Sequence, residues 1–128
     1  MVYRRRRGTA IVDTPRGLVM VSLDGSTFTL PGGGAHRDES QRDAAVRELK
    51  EETGMEAVGL TYLFDFMGIL HEGVRGGHFR NSHKVFLVKA KGEPKPGQEI
   101  KQVAYYRGSG LKLSISAQKI IEKYRSSA

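Results

Sequence analysis

The sequence contains no cysteine and no tryptophan, and only four prolines in 128 residues. Without cysteine there is no disulfide, no thiolate nucleophile and no Cys-ligated zinc or iron–sulfur centre. No apolar run approaches the roughly 18 residues that a membrane-spanning helix needs. The first ten residues, MVYRRRRGTA, are basic but have no apolar stretch behind them, so they do not read as a secretory signal. Internal repeats and an interdomain linker are also missing. Hydrophobic residues at 38% and charged residues at 27% suit a soluble globular chain rather than a disordered or fibrous one. The expectation is a single domain over residues 1–128, working in the cytoplasm.

The formal charge of +7 is unevenly spread. Residues 1–30 carry +3, residues 31–55 carry −2, and residues 56–128 carry +6. A basic shell around one acidic segment suits an anionic ligand that meets carboxylates through a bridging cation. Charge alone equally describes a binder of nucleic acid or of an acidic membrane surface, or a protein kept soluble by surface Lys and Arg.

The chain reads as alternating elements. Residues 3–13 and Gly17–Leu23 flank the turn signal Asp13-Thr14-Pro15-Arg16-Gly17, which predicts a hairpin. A short strand, Thr27–Leu30, stops at Pro31, and the Gly32-Gly33-Gly34 run is expected to be irregular. Ser40 with Asp43 three residues later predicts a capped helix start, and Gly54 its C-terminal stop. Val58, Leu60, Tyr62, Phe64 and Phe66 alternate, then the parity switches at Met67 and Ile69, which implies a bulge. Two glycines near residues 73–78 predict a hairpin onto a strand at Phe79–Ala90. Lys101–Arg107 reads as a further strand, and Ser116 as the cap of a last helix. Strands around one helix, with a second helix at the end, predict a mixed α/β sandwich.

The most informative stretch is Gly33 to Met55. On a helix turning about 100° per residue, Glu48, Glu51 and Glu52 fall on one face. They crowd near the helix C-terminus, where the dipole disfavours negative charge. A divalent cation would relieve this, and clustered carboxylate oxygens suit Mg²⁺ or Mn²⁺. Taken alone, the ridge reads better as a solvated acidic face, partly neutralised by Lys50. The glycine loop before the helix tips the balance, since its backbone can approach phosphate or metal closely.

Gly33, five residues, Glu39, seven residues, Arg47-Glu48-Leu49, one residue, Glu51-Glu52, one residue, Gly54-Met55 resembles the complete signature of the Nudix hydrolases. The resemblance implies a Nudix-type α/β/α sandwich on a mixed sheet. It implies Mg²⁺ held by Glu51 and Glu52 with the carbonyl of Gly32, and Glu48 as a further ligand or general base. Arg47 would orient the glutamates, Glu39 would tie the loop to the helix, and Gly54 would end the helix. Glu99, six residues before Tyr105, resembles an additional ligand or base of MutT-type members, although an exposed loop glutamate reads as well.

The remaining candidates are weaker. Gly33 and Gly34 would approach the substrate, and Arg75, Arg80 and Lys84 are candidate phosphate contacts. Arg4–Arg7 read as a solvated edge strand, with at most two arginines facing one ligand. His71, His78 and His83 read as exposed loop residues, and Tyr62, Phe64, Phe66 and Phe86 as core. The proline of ADP-ribose pyrophosphatases and the tyrosine of dinucleoside polyphosphate hydrolases are both missing downstream of the signature. That leaves a MutT-like nucleoside triphosphate pyrophosphohydrolase acting on a small nucleotide. A dinucleoside or diphosphoinositol polyphosphate hydrolase is the alternative, as is a non-catalytic module that senses nucleotides or RNA. The intact glutamates favour the enzyme. No membrane partner is expected, and the absence of an aromatic–basic RNA motif disfavours nucleic acid.

Overall fold

The computed structural model describes residues 2–126. In chain order these form β1 (Val2–Ile11), β2 (Asp13–Thr14), β3 (Gly17–Ser22), β4 (Thr27–Phe28), β5 (Gly32–Gly34), α1 (Gln41–Thr53), β6 (Glu56–Glu72), β7 (His78–Lys91), β8 (Gln102–Tyr106), β9 (Lys112–Leu113) and α2 (Ile115–Ser126). The main sheet has the order β5-β1-β7-β6. Within it β1 and β7 are parallel and the other neighbours antiparallel. A smaller antiparallel sheet, β2-β3-β8, and the parallel pair β4-β9 complete the architecture.

Alternation along the central strands creates two cores. Ile11 of β1 and Val85 of β7 pack with Leu18, Met20, Ile120 and Ile121, against α2. Their neighbours Ala10, Val12, Phe86 and Val88 point the other way and pack with Ala45 and Leu49 of α1. The period of two thus sends successive side chains to opposite layers. The result is the expected α/β/α sandwich on a mixed sheet. Among the described residues, no helix is long and apolar enough to cross a membrane.

Several local expectations need correction. The glycine run is not irregular: Gly32–Gly34 form β5, paired antiparallel with Thr9, Gly8 and Arg7. β1 is not an edge strand, because β5 and β7 flank it on both sides. The first hairpin is confined to β2 and β3, while β1 leaves for the main sheet. The last helix is capped by Ser114 rather than Ser116, the Ser114 Oγ accepting from the Ala117 N–H at 3.2 Å. The bulge expected at Met67 is present, but β6 carries two more, at Ala57/Gly59 and Tyr62/Phe64. These shifts break the simple parity, which leaves Val58 and Tyr62 exposed although their spacing predicts core.

Candidate active site

The site is built where α1 crosses β1 and β5. At the helix start, Ser40 Oγ accepts from the Asp43 N–H at 3.0 Å. At its end Gly54 adopts the left-handed conformation (φ 76°) and donates its N–H to the Lys50 carbonyl. The loop between β7 and β8 seals the last turn, with the Lys95 N–H on the Thr53 carbonyl and the Gly97 N–H on the Glu52 carbonyl. Both helix ends are therefore satisfied, and the carboxylates of the last two turns are held in a fixed frame.

Arg47 organises that frame. Its Nε and Nη2 donate to the two carboxylate oxygens of Glu39, each at 2.9 Å, in a bidentate pair. Nη2 also reaches the Gly34 carbonyl at 3.0 Å, while Nη1 donates to Glu48 at 2.7 Å and Glu51 at 3.2 Å. The planar fork suits this task, and a lysine could not copy it. Hydrogen bonds from Arg47 and the His36 N–H hold the Glu39 carboxyl down at about 2. The same bonds to Glu39 raise the already high pKa of Arg47. A carboxyl depressed below its unfolded value stabilises the fold above that value and loses the benefit as pH falls through the folded one. Stability is therefore expected to decline between about pH 4.5 and pH 2, and Glu39→Gln to flatten that part of the curve. Thermal melts across this range check it, and an unchanged acid slope in the variant would remove Glu39 as its source.

Glu52 behaves differently. Its Oε1 accepts from the Gly32 N–H at 3.0 Å. Burial pushes its carboxyl up to about 8, and the nearby Glu48 carboxyl, within hydrogen-bonding reach, pushes the same way. Glu48 lies against Gly33, where a Cβ would stand only 2.5 Å from the Glu48 carboxyl carbon. Gly33 is thus required for close packing of a catalytic candidate, and its free space is filled by protein. Gly32 presents a donor to Glu52, a contact that the resemblance, with its emphasis on the carbonyl, did not imply.

Arg7 is the residue that sequence reasoning missed. Its guanidinium lies in the field of Glu52 and Glu48, and burial followed by the nearby Arg5 lowers its pKa. No protein acceptor meets its guanidinium among the described hydrogen bonds. Parity places Arg5 and Arg7 on the same face of β1, so the limit of two arginines per ligand is met by this pair. Arg5 stands 5.0 Å over the Phe79 ring. The signal was in the sequence, in a basic run of alternating face, but its interior place in the sheet was not.

His83, expected on an exposed loop, is buried at 6% exposure beside this row. Its Nδ1 is 2.8 Å from Thr9 Oγ1, and its ring meets Phe66 edge-on. Burial, with the charge of Arg7, lowers its pKa to about 4, so the ring is neutral at pH 7. The structure does not bring every candidate together. Arg80 lines a separate cleft with Val2, Arg4, Met67 and Leu70. Arg75 lies in the turn between β6 and β7, and Lys84 pairs with Asp65. Glu99 is exposed, two residues beyond the Gly97 that seals α1. Among the described residues, no three acidic or histidine side chains are arranged as a metal-holding group. Glu48 and Glu51 accept from Arg47, and Glu52 accepts from the Gly32 N–H.

Comparison with known proteins gives consistent matches. The family model for the NUDIX domain matches residues 2–123. An ADP-ribose pyrophosphatase of Methanocaldococcus jannaschii is 31% identical over 99 residues, which cover 76% of this chain but only 56% of that protein. The chain thus spans little more than half the length of this curated relative. A candidate nudix hydrolase family member from Chromobacterium violaceum superimposes with a TM-score of 0.79 at 35% identity, covering 95% of this chain and 77% of the other. A MutT NUDIX hydrolase from Burkholderia pseudomallei shares the fold at a TM-score of 0.76 and 20% identity, covering 93% and 96%.

Proposed function

Because the chain belongs to the NUDIX domain family, we propose that it is a divalent-cation-dependent hydrolase of the pyrophosphate bond in nucleoside diphosphate derivatives. The observation that carries this reading is the Arg47 network, which gathers Glu48 and Glu51 beside Glu52, with Arg7 within their electrostatic reach. The donor set fits a hard cation. Burial, with the Glu48 carboxyl close by, pushes the Glu52 carboxyl up to about 8, a cost that Mg²⁺ or Mn²⁺ held by these carboxylates would relieve. Such a cation supplies charge neutralisation at the phosphate oxygens and a more acidic water.

The protein's own groups account for the rest. Arg7 and Arg5, in line on one strand face, bind phosphate oxygens as the chain of phosphates runs away from the carboxylates. Arg47 acts as a positioning residue that fixes Glu48 and Glu51. A carboxylate of the cluster takes the proton of water as its oxygen bonds to phosphorus and the bridging P–O bond breaks. No covalent intermediate with the protein is required.

The arginine pair favours a nucleoside triphosphate, cut to a monophosphate and pyrophosphate. The M. jannaschii relative favours a second reading, ADP-ribose cut to AMP and ribose 5-phosphate. Product analysis with Mg²⁺ and both substrate classes separates them. Pyrophosphate release from a triphosphate is expected. Ribose 5-phosphate release with no pyrophosphate would transfer the assignment to ADP-ribose. Tight binding with no cleavage of either would turn it to a sensing module.

A further inference from the structure

The flank of α1 that faces β6 holds a second cleft, on the side opposite Glu51 and Arg47. It has a volume of about 460 Å³ and is lined by Arg6, Gln41, Arg42, Tyr62, Lys84 and Phe86. This size lies within the usual range for small-molecule sites. None of these residues belongs to the carboxylate cluster. Arg6 and Lys84 alternate with Arg7 and His83 along their strands, so they project toward the α1 layer.

Three cationic side chains converge here against two carboxylates. Lys84 Nζ is 3.1 Å from Asp65, and Arg42 Nη1 is 3.5 Å from Asp43, both exposed pairs. Arg6 donates to the Glu39 carbonyl at 2.8 Å, and no carboxylate pairs with it among the described residues. One positive charge is thus left over, which suits a single phosphate group better than a polyphosphate. The first turn of α1 opens on the same cleft, and its dipole adds to the positive field.

The cleft also has an aromatic wall. Tyr62 meets Phe86 edge-on, with ring centroids 5.9 Å apart, and Lys84 Nζ lies 5.3 Å from the Tyr62 centroid. Tyr62 is 52% exposed, so part of its ring is open to a planar group. Cations beside an exposed aromatic face are the elements that recognise a phosphate joined to a base. We propose that this cleft is a binding site for a nucleoside monophosphate, with the phosphate among Arg6, Arg42 and Lys84 and the base against Tyr62.

Titration calorimetry with AMP, adenosine and inorganic phosphate tests the proposal. EDTA is kept in every buffer, so that binding is read independently of any cation-dependent hydrolysis. Saturable one-to-one binding of AMP below about 1 mM is expected, with adenosine and phosphate each at least about tenfold weaker. The double variant Arg42→Gln/Lys84→Gln should weaken AMP at least tenfold, and Glu48→Gln should leave it unchanged. Arg42 is exposed and Lys84 only half-buried, and glutamine keeps much of each side chain, so the fold is retained, and Tyr62→Ala gives an independent loss through the aromatic wall alone. Absence of saturable binding would overturn the proposal. So would phosphate binding as tightly as AMP, or binding lost in Glu48→Gln but kept in the double variant.

Discussion

Glu52→Gln is expected to lower turnover by at least about 10²-fold while leaving the chain folded. The amide keeps the shape of the side chain and an oxygen to accept the Gly32 N–H, so the bond between loop and helix survives. What it removes is the ability to ionise. The Glu52 carboxyl is raised from an ordinary 4.5 to about 8 by burial and by Glu48. A folded-state value above the unfolded one means that ionisation opposes folding. Stability is full below about pH 4.5 and is lost as pH rises toward about 8. The variant escapes this slope. In EDTA its melting temperature should match the parent near pH 5 and exceed it at pH 8. Turnover with Mg²⁺ and melts with EDTA read the two effects separately. Unchanged turnover would remove Glu52 from the machinery, and identical melts at pH 8 would remove the strain between the two carboxyls.

Gly8→Ala is expected to cost about 3 kcal/mol or more of stability, among the largest effects of any single methyl group in this chain. Gly8 pairs with Gly33 in the sheet, directly beneath the first turns of α1. A Cβ there would run into the carbonyl oxygen of Gln41 and stand 2.5 Å from the Ala45 nitrogen. Both are backbone atoms inside a helix, so no side chain can swing aside. The helix itself would have to lift, and the carboxylates would lift with it. Urea denaturation reads the loss. A variant as stable as the parent would mean that α1 does not lie this close to β1.

The parts of the fold that were legible in the sequence are those decided within a few residues. Ser40, Asp43 and Gly54 mark α1 because caps act over three or four positions. The carboxylate face followed from helical spacing, and the hydrogen bonds of Arg47 to Glu48 and Glu51 fit the family pattern. The parts that were not legible are decided by distant partners. Glycines have no side chains to mark a period, so β5 exists only because β1 pairs with it. Arg4–Arg7 read as an edge because nothing local to them announces a strand on either side. His83 read as exposed because its burial depends on Thr9 and Phe66, which come from two other strands. Ser114 and Ser116 are both serines two residues apart, and only the Ala117 N–H decides between them.

The central place of β1 has a consequence for the newborn chain. Each residue of β1 pairs with β7 at a fixed remove of 76 positions, from Val2 with His78 to Ile11 with Leu87. β5 can join β1 early, but the pairing that makes β1 a central strand must wait until the chain has been made through β7. The four consecutive arginines of β1 repel one another during that wait and keep the strand from adhering to other chains. The charges proposed to bind phosphate would also serve as the nascent chain's protection against aggregation.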